Sequence, residues 1–398
     1  MWSGGPSNPN NNGPPKYDSD DDYILGVADA AVFYTAYLEH PLSTPRNNSH
    51  YTCTQRLSDL LNGHEMVIYN KIRMGSDCFR KLSWLLEQKN LLRSTRNMSV
   101  DEQLIIFLTI VCQNESNRET QHQWQHLGAT ISKYFMVVLN AIYRLRHDFI
   151  KPPDFNRIDP LIEASRSKYR HWFDNYVGAL DGTHVPCVPP PENAEFTYML
   201  AGREGSAHDA RVLESTNETP EKKFHVPPTG KFYLVDSGYA NTGCFLAPYR
   251  GCTYHLQEYR ARRGRPRSER ELFNYTHSSI RNCIEQAFGV WKARFCILKI
   301  INNYAMQKQT RIPIACAVIH DFIRMYQHDD SFINQYLQDG VPVSEIDPLN
   351  TDEDVNQNHN PNRSMEGPRN TASRREMGLM RDKIARTTWQ AHGGNNNR

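Results

Sequence analysis

Two short stretches decide the fold class of this chain. Residues 176–184 read YVGALDGTH and residues 231–239 read KFYLVDSGY. Each passes through apolar and aromatic residues, which favour a β-strand, and then reaches an aspartate that a glycine follows within two positions. A long helical pattern occupies residues 269–295, and a second one occupies residues 312–326. Strands followed by helices in this half of the chain predict an α/β or α+β layered fold.

Three acidic residues in this half are candidates for chemistry. Asp181 and Asp236 each close one of the predicted strands, and Glu285 lies beside Ile284 on the long helix in RNCIEQAFG. A carboxylate that closes a buried strand is costly unless a hydrogen bond or a metal compensates it. If the three converged, they would form an oxygen site suited to two Mg²⁺ or Mn²⁺ ions, which can cleave phosphodiesters. Taken singly, each acid is more often a turn residue or a solvated helix residue.

Residues 65–150 carry helical patterns only. The segment Ser99-Val100-Asp101-Glu102 matches a capping box, in which the serine and glutamate side chains each satisfy a backbone N–H of the other residue. One helix is expected through residues 119–126, and the next is expected to begin with Thr130 as its N-cap. Two helices joined by a tight turn match the helix-turn-helix plan of DNA-binding proteins. The pattern alone favours the other interpretation, a small helical bundle without DNA contact.

Positive charge is concentrated near the predicted acidic site. The net charge of the chain is only +2, but residues 256–311 hold twelve basic and four acidic residues. Within this segment, residues 260–267 read RARRGRPR, which resembles an AT-hook that enters the minor groove of A·T-rich DNA. A nuclear-localisation patch and a solvated basic loop are the alternatives. The expected DNA-contacting residues are Arg262, Arg263, Arg265, Arg267, Lys292 and Arg294.

Several classes of protein are disfavoured. The longest largely apolar run, residues 104–112, is shorter than the ~20 residues that span a bilayer, and the N-terminus has no secretory signal pattern. Nine cysteines without a C-x-x-C pair predict a reducing compartment, and the spacing of cysteines and histidines predicts no zinc site. No nucleotide-binding glycine loop and no nucleophile elbow is present.

Four runs in the second half of the chain resemble the PIF/Harbinger family of DDE transposases and the nucleases derived from them. These runs are GALDGTHVPCVPPPENA (residues 178–194), FTYMLAGREGSAHDARVL (196–213), KFYLVDSGYANTGCFLAPYRG (231–251) and ELFNYTHSSIRNCIEQAFGVWKARFCIL (271–298). The resemblance implies an RNase H-like core, a helix-turn-helix region before it, and divalent-metal-dependent cleavage and strand transfer of double-stranded DNA in the nucleus. It also implies a Myb-like partner protein that supplies DNA specificity.

The resemblance assigns the catalytic and metal-binding roles to Asp181, Asp236 and Glu285. Asp209 also matches a recurrent acid of the family, but it is expected to cap a helix, and His184 is expected to orient a carboxylate or to make a structural hydrogen bond. The chain departs from the family between Ala194 and Glu195, where a basic stretch and one strand are missing. Loss of that strand removes a ladder partner from the sheet and basic residues from the substrate groove. Either a deletion or a gene model that skips coding sequence explains the gap.

The sequence thus predicts four regions and leaves three hypotheses open. The regions are a disordered N-terminal segment (1–55), a helix-turn-helix-like region (56–150), a DDE endonuclease domain (165–327) and a disordered acidic or polar tail (328–398). The leading hypothesis is a nuclear DDE endonuclease. The second is a catalytically impaired, domesticated DNA- or chromatin-binding protein that keeps the transposase scaffold. The third is a product that does not fold stably.

Overall fold

The computed structural model describes residues 31–32, 34–35, 50–169, 171–182, 224–253, 266–299, 301, 304, 306–327, 330 and 371–393. The chain divides into two units, residues 1–50 and 51–398. In the first unit, the described residues from 31 to 35 have helical backbone. That helical backbone, and a helix that begins at Cys53, lie within the segment 1–55 for which disorder is expected. No described helix has the length and apolar character needed to cross a membrane.

The second unit consists mostly of helices, with three short strands among its described residues. Its first part holds α1 (Cys53–Asn62), α2 (Glu65–Ile72), α3 (Ser76–Gln88), α4 (Val100–Gln113), α5 (Asn117–Trp124), α6 (Gly128–Arg144), α7 (Arg146–Phe149), α8 (Pro160–Ala164) and α9 (Arg166–Tyr169). Its later part holds β1 (Tyr176–Ala179), β2 (Phe232–Leu234), β3 (Phe245–Leu246), α10 (Glu269–Arg294), α11 (Met306–Tyr326) and α12 (Thr371–Gly393). This composition is consistent with the predicted α/β class.

The larger hydrophobic core is built around α4. This helix is buried on nearly every side because its sequence is apolar almost throughout, as in LIIFL at residues 104–108. The same core includes Trp291 and Phe295 from the end of α10 and Phe322 from α11. The predicted division between residues 56–150 and 165–327 is therefore not a boundary of packing, since both segments share one core.

Helices α5 and α6 form the helical pair that the sequence indicated. Three residues join them, and the first, Gln125, has a left-handed backbone with φ 52°. The predicted apolar stripe of α6 is buried, including Ile131, Phe135 and Ile142. The helix begins at Gly128, before the expected N-cap Thr130, because Leu127 takes the N-cap position. Whether this pair binds DNA stays a prediction.

The sheet contains three parallel strands in the order β1–β2–β3. The strands predicted within residues 176–184 and 231–239 are confirmed as the shorter β1 and β2, whereas β3 was not predicted. The register pairs Ala179 with Leu234 and shifts between Tyr176 and Gly178. Gly178 has φ 151°, a conformation that side-chain-bearing residues rarely adopt. The predicted strand at residues 195–202, and the junction where the family's strand is missing, lie outside the described residues.

Helix α10 is fixed against the sheet by buried polar side chains. Asn274 accepts a hydrogen bond from the backbone N–H of Tyr249 (2.8 Å) and donates one to its carbonyl oxygen (3.0 Å). One helical turn later, His277 lies 2.9 Å from the carbonyl oxygen of Leu246 in β3. Burial lowers the pKa of His277 to about 3, so the ring is neutral and its Nε2–H is the donor. These bonds set the rotation of α10 relative to the strands.

The C-terminal region is not wholly disordered, contrary to prediction. Helix α12 packs on α10 and β3, where Met377, Ile384 and Ala385 join the core cluster that contains Phe273 of α10. The hydroxyl of Tyr249 also donates to Asp382 (2.6 Å). The sequence allows a short helix around residues 375–389 but shows little for it to pack against. In the structure, residues of α10 and of the strands, which are distant in sequence, together form the apolar surface on which α12 packs.

We expect the docking of α12 to contribute to global stability. Ile384 is 7% exposed and Leu379, on the same helix, is 60% exposed. The substitution Ile384→Asp places a carboxylate in an apolar contact and should lower the free energy of unfolding by more than about 3 kcal/mol. The matched control Leu379→Asp should change it by no more than about 0.5 kcal/mol.

Urea unfolding of the full chain measures both changes. Equal effects of the two substitutions would show that α12 does not pack on the core.

Candidate active site

Asp181 and Asp236 lie at the same edge of the sheet. Each follows its strand by two residues, and β1 and β2 are parallel neighbours. The pairing continues past the strands, because the N–H of Leu180 donates to the carbonyl oxygen of Leu234 (2.8 Å). Carboxyl ends of neighbouring parallel strands share one edge, so both aspartates follow strands that end at this edge. Open α/β sheets bind their ligands at this edge.

Each aspartate also accepts a hydrogen bond from the backbone N–H of a nearby glycine. One oxygen of Asp181 accepts from the N–H of Gly182 (3.1 Å), and one oxygen of Asp236 accepts from the N–H of Gly238 (2.7 Å). A Cβ atom at position 238 would lie 3.0 Å from Oδ1 of Asp236, so glycine allows this close approach. One oxygen of each carboxylate is therefore held by a local backbone N–H, as is ordinary for aspartate before glycine. Both carboxylates remain at the edge of the sheet.

Glu285 reaches Asp181 through Arg281. The guanidinium Nη1 of Arg281 lies 2.8 Å from Oδ2 of Asp181, and Nη2 forms an ion pair with Glu285 one turn along α10. The Arg281 and Asp181 side chains are only 10% and 15% exposed, whereas Glu285 is 35% exposed. One cation thus holds two of the three predicted catalytic acids. Asp236 follows the neighbouring strand at the same edge of the sheet.

The residues fit a divalent cation in chemical type. Three carboxylates supply the oxygen ligands that Mg²⁺ and Mn²⁺ prefer, and the Arg281 guanidinium already places a positive charge between two of them. Within the described part of the chain, however, the three do not form a group whose ligand oxygens all lie within 4.8 Å of one another. The ligand atoms of two ions about 4 Å apart are spread over a larger distance than the ligand atoms of one ion. In the described arrangement the three acids are not gathered around a single ion position, and Arg281 is bonded to two of them.

Sequence reasoning missed Arg281 and the polar residues before it. Asn274, His277, Arg281 and Glu285 follow one another at intervals of three or four residues, which places them on one face of α10. The apolar pattern around Ile280 and Trp291 concealed this stripe. A search for polar residues at helical spacing before a candidate catalytic glutamate would have found it.

The predicted DNA-contacting residues have different locations. Arg262, Arg263 and Arg265 lie outside the described residues, as do His184 and Asp209.

Among the described residues of that set, Arg267 is exposed, whereas Lys292 and Arg294 are buried at 2% and 0% exposure. Arg294 pairs with Asp330, which also accepts the hydroxyl of Tyr69 (2.8 Å). Lys292 and Arg294 therefore serve the interior of the fold and do not reach DNA phosphates from these positions. The sequence pattern assigned them to the surface because it cannot show the burial of the last turn of α10.

Comparisons with known proteins support the assignment to the DDE superfamily. Residues 188–321 match the family model of the DDE superfamily endonuclease, and residues 48–144 match a domain of unknown function, DUF8040. The endonuclease match includes Asp236 and Glu285 and begins seven residues after Asp181. No curated protein and no solved structure matches the chain.

We expect Arg281 to compete with cations for the acidic edge. The substitution Arg281→Gln removes the charge that pairs Asp181 and Glu285, so a cation no longer has to displace it. A hydrogen bond to a charged group contributes about 1.5–3 kcal/mol, so Mn²⁺ affinity should rise about tenfold or more. Isothermal titration calorimetry with Mn²⁺ measures the change.

The control is Lys299→Gln, which removes one positive charge from an exposed residue five positions after the end of α10. Equal Mn²⁺ affinities of the two variants would contradict the competition.

Proposed function

We propose that this chain is a transposase-derived DDE endonuclease of the PIF/Harbinger type, with an RNase H-like core. It hydrolyses DNA phosphodiester bonds and transfers strands in the nucleus, using Asp181, Asp236 and Glu285. The observation that carries the proposal is the position of Asp181 and Asp236 after the carboxyl ends of neighbouring parallel strands, where Arg281 pairs with both Asp181 and Glu285. The superfamily match over residues 188–321 adds to it.

The three carboxylates would hold Mg²⁺ or Mn²⁺. When bound, these ions activate the attacking water or 3′-hydroxyl and stabilise the leaving oxygen. The residues of the chain itself supply placement: the N–H groups of Gly182 and Gly238 each hold one oxygen of an aspartate, and α10 carries Glu285 one turn after Arg281. Arg281 balances the charge of Asp181 and Glu285 until a cation replaces it. The displaced guanidinium is then available to a DNA phosphate.

The basic segment around Arg263 and Arg265 would bind the DNA next to this edge, and helices α5 and α6 would contact it in the manner of a helix-turn-helix. A Myb-like partner that adds sequence specificity stays a prediction from the family resemblance.

Metal-dependent nicking of supercoiled DNA tests the enzyme. In the presence of Mn²⁺, the variants Asp181→Asn, Asp236→Asn and Glu285→Gln should each nick about 10²-fold more slowly or worse. Loss of several kcal/mol of charge stabilisation in the transition state has at least this effect. The control Asp148→Asn alters a half-buried carboxylate that pairs with Lys89, and this variant should nick at the wild-type rate. Nicking at one common rate by all five proteins would reject the assignment.

One observation favours a second function, that of a DNA- or chromatin-binding protein without catalysis. In the structure, Arg281 pairs with both Asp181 and Glu285. The carboxylate oxygens of these two residues and of Asp236 do not all lie within 4.8 Å of one another. If no cation displaces Arg281, the scaffold keeps its affinity for DNA but does not cleave it. The basic segment would then be the functional part of the molecule.

Binding to duplex DNA at several salt concentrations tests the basic segment. The double substitution Arg263→Ala/Arg265→Ala should abolish a preference for A·T-rich over G·C-rich duplex. It should also reduce the slope of log K against log salt by about 2, since each phosphate contact contributes about 0.9.

The double control Lys151→Ala/Arg157→Ala removes two exposed charges outside the segment and should keep the preference. Binding without nicking by the wild-type chain would identify the second function. An unchanged preference after the arginine substitutions would remove the segment from both functions.

A further inference from the structure

Three side chains from distant parts of the sequence converge in the helical region. Cys53 is the first residue of α1, Glu102 lies in the first turn of α4, and His126 lies in the turn between α5 and α6. Their sulfur, oxygen and nitrogen atoms all lie within 4.8 Å of one another. Nε2 of His126 is 2.7 Å from Oε1 of Glu102, and the thiol of Cys53 donates to the carbonyl oxygen of Trp124.

The orientation of Glu102 is not explained by helix capping. The sequence Ser99–Glu102 predicts a reciprocal box, but only half of it forms: Ser99 accepts from the N–H of Glu102 (3.1 Å). In α5 the same spacing forms both bonds, with Glu119 accepting from the N–H of Ser116 (2.8 Å). The carboxylate of Glu102 turns instead into the fold, toward His126 and Cys53. The Glu102 side chain is 7% exposed, and its carboxylate contacts this cluster instead of capping the N-terminus of α4.

The donor set suits a particular class of ion. A thiolate, an imidazole nitrogen and a carboxylate oxygen are the three ligand types that Zn²⁺ takes in proteins, whereas Mg²⁺ and Ca²⁺ prefer oxygen alone. Burial and the neighbouring Glu102 carboxylate raise the pKa of the Cys53 thiol to about 11, with Arg56 acting in the opposite direction. The thiol therefore carries its proton at neutral pH until a cation takes the proton's place.

We propose that Cys53, Glu102 and His126 bind a Zn²⁺ ion, with water completing its coordination. On binding, the Cys53 thiol gives up its proton to solvent, and the ion replaces the direct contact between His126 and Glu102. The ion ties α1 and α4 to the turn between α5 and α6, and so fixes the helical pair that is expected to meet DNA. The site lies in the segment that matches DUF8040, outside the DDE match, and does not depend on the proposed nuclease activity.

Substitution with Co²⁺ tests the sulfur ligand directly. The full chain, reduced and stripped of metal, is titrated with Co²⁺ in excess Mg²⁺, which fills sites made of oxygen alone. We expect one equivalent of Co²⁺ to produce a near-ultraviolet thiolate-to-cobalt absorption band, and one equivalent of Zn²⁺ to remove it. The variant Cys53→Ser should lack the band. The matched control Cys252→Ser, which changes another half-buried free cysteine, should keep it.

Thermal unfolding gives a second readout. Zn²⁺ should raise the melting temperature of the wild-type chain and of Cys252→Ser, but not that of Cys53→Ser or His126→Gln, because a ligand stabilises only the state that binds it. If the cysteine variant does not fold, the wild-type titration still decides. A wild-type chain without the cobalt band, or a band of equal strength in Cys53→Ser, would overturn the proposed site.

Discussion

The parallel pairing of β1 with β2 is the constraint on which the acidic edge depends. Because Ala179 is in register with Leu234, the residues that follow the two strands leave the sheet at the same level. A shift of one residue would turn one aspartate to the opposite face of the sheet. Helix α10 completes the arrangement, since the buried bonds of Asn274 and His277 set which of its faces meets this edge. Arg281 and Glu285 then follow on that face.

Charge balance connects this edge to the rest of the molecule. A partly buried carboxylate requires a positive charge or a hydrogen-bond donor nearby, and in the described structure Arg281 supplies this charge to Asp181 and Glu285. The same rule operates in the larger core, where Arg294 is buried with Asp330. The difference lies in access, because Glu285 is 35% exposed whereas the Arg294 pair is almost fully enclosed. An enclosed pair serves stability, whereas a partly exposed one can exchange its cation.

The sequence was sufficient for local features and insufficient for those that depend on packing. Periodicity predicted β1, β2 and α10, and the strand-ending position predicted the placement of Asp181 and Asp236. The burial of Lys292, the docking of α12 and the meeting of Cys53 with His126 depend on neighbours far away in the chain. No spacing rule encodes such neighbours: 73 positions separate Cys53 from His126, so no metal-binding motif is visible. Glu102 illustrates the same limit, since only half of its predicted capping box forms and its carboxylate contacts His126 instead.

A structure of the crystallised protein soaked in Mn²⁺ would examine the central claim most directly. The claim is that the edge formed by Asp181, Asp236 and Glu285 is a cation site that Arg281 occupies in the absence of metal. It predicts anomalous density bounded by the three carboxylates, with the guanidinium of Arg281 withdrawn from both of its partners. Density absent from this edge at saturating Mn²⁺, with Arg281 still bonded to Asp181 and Glu285, would contradict it.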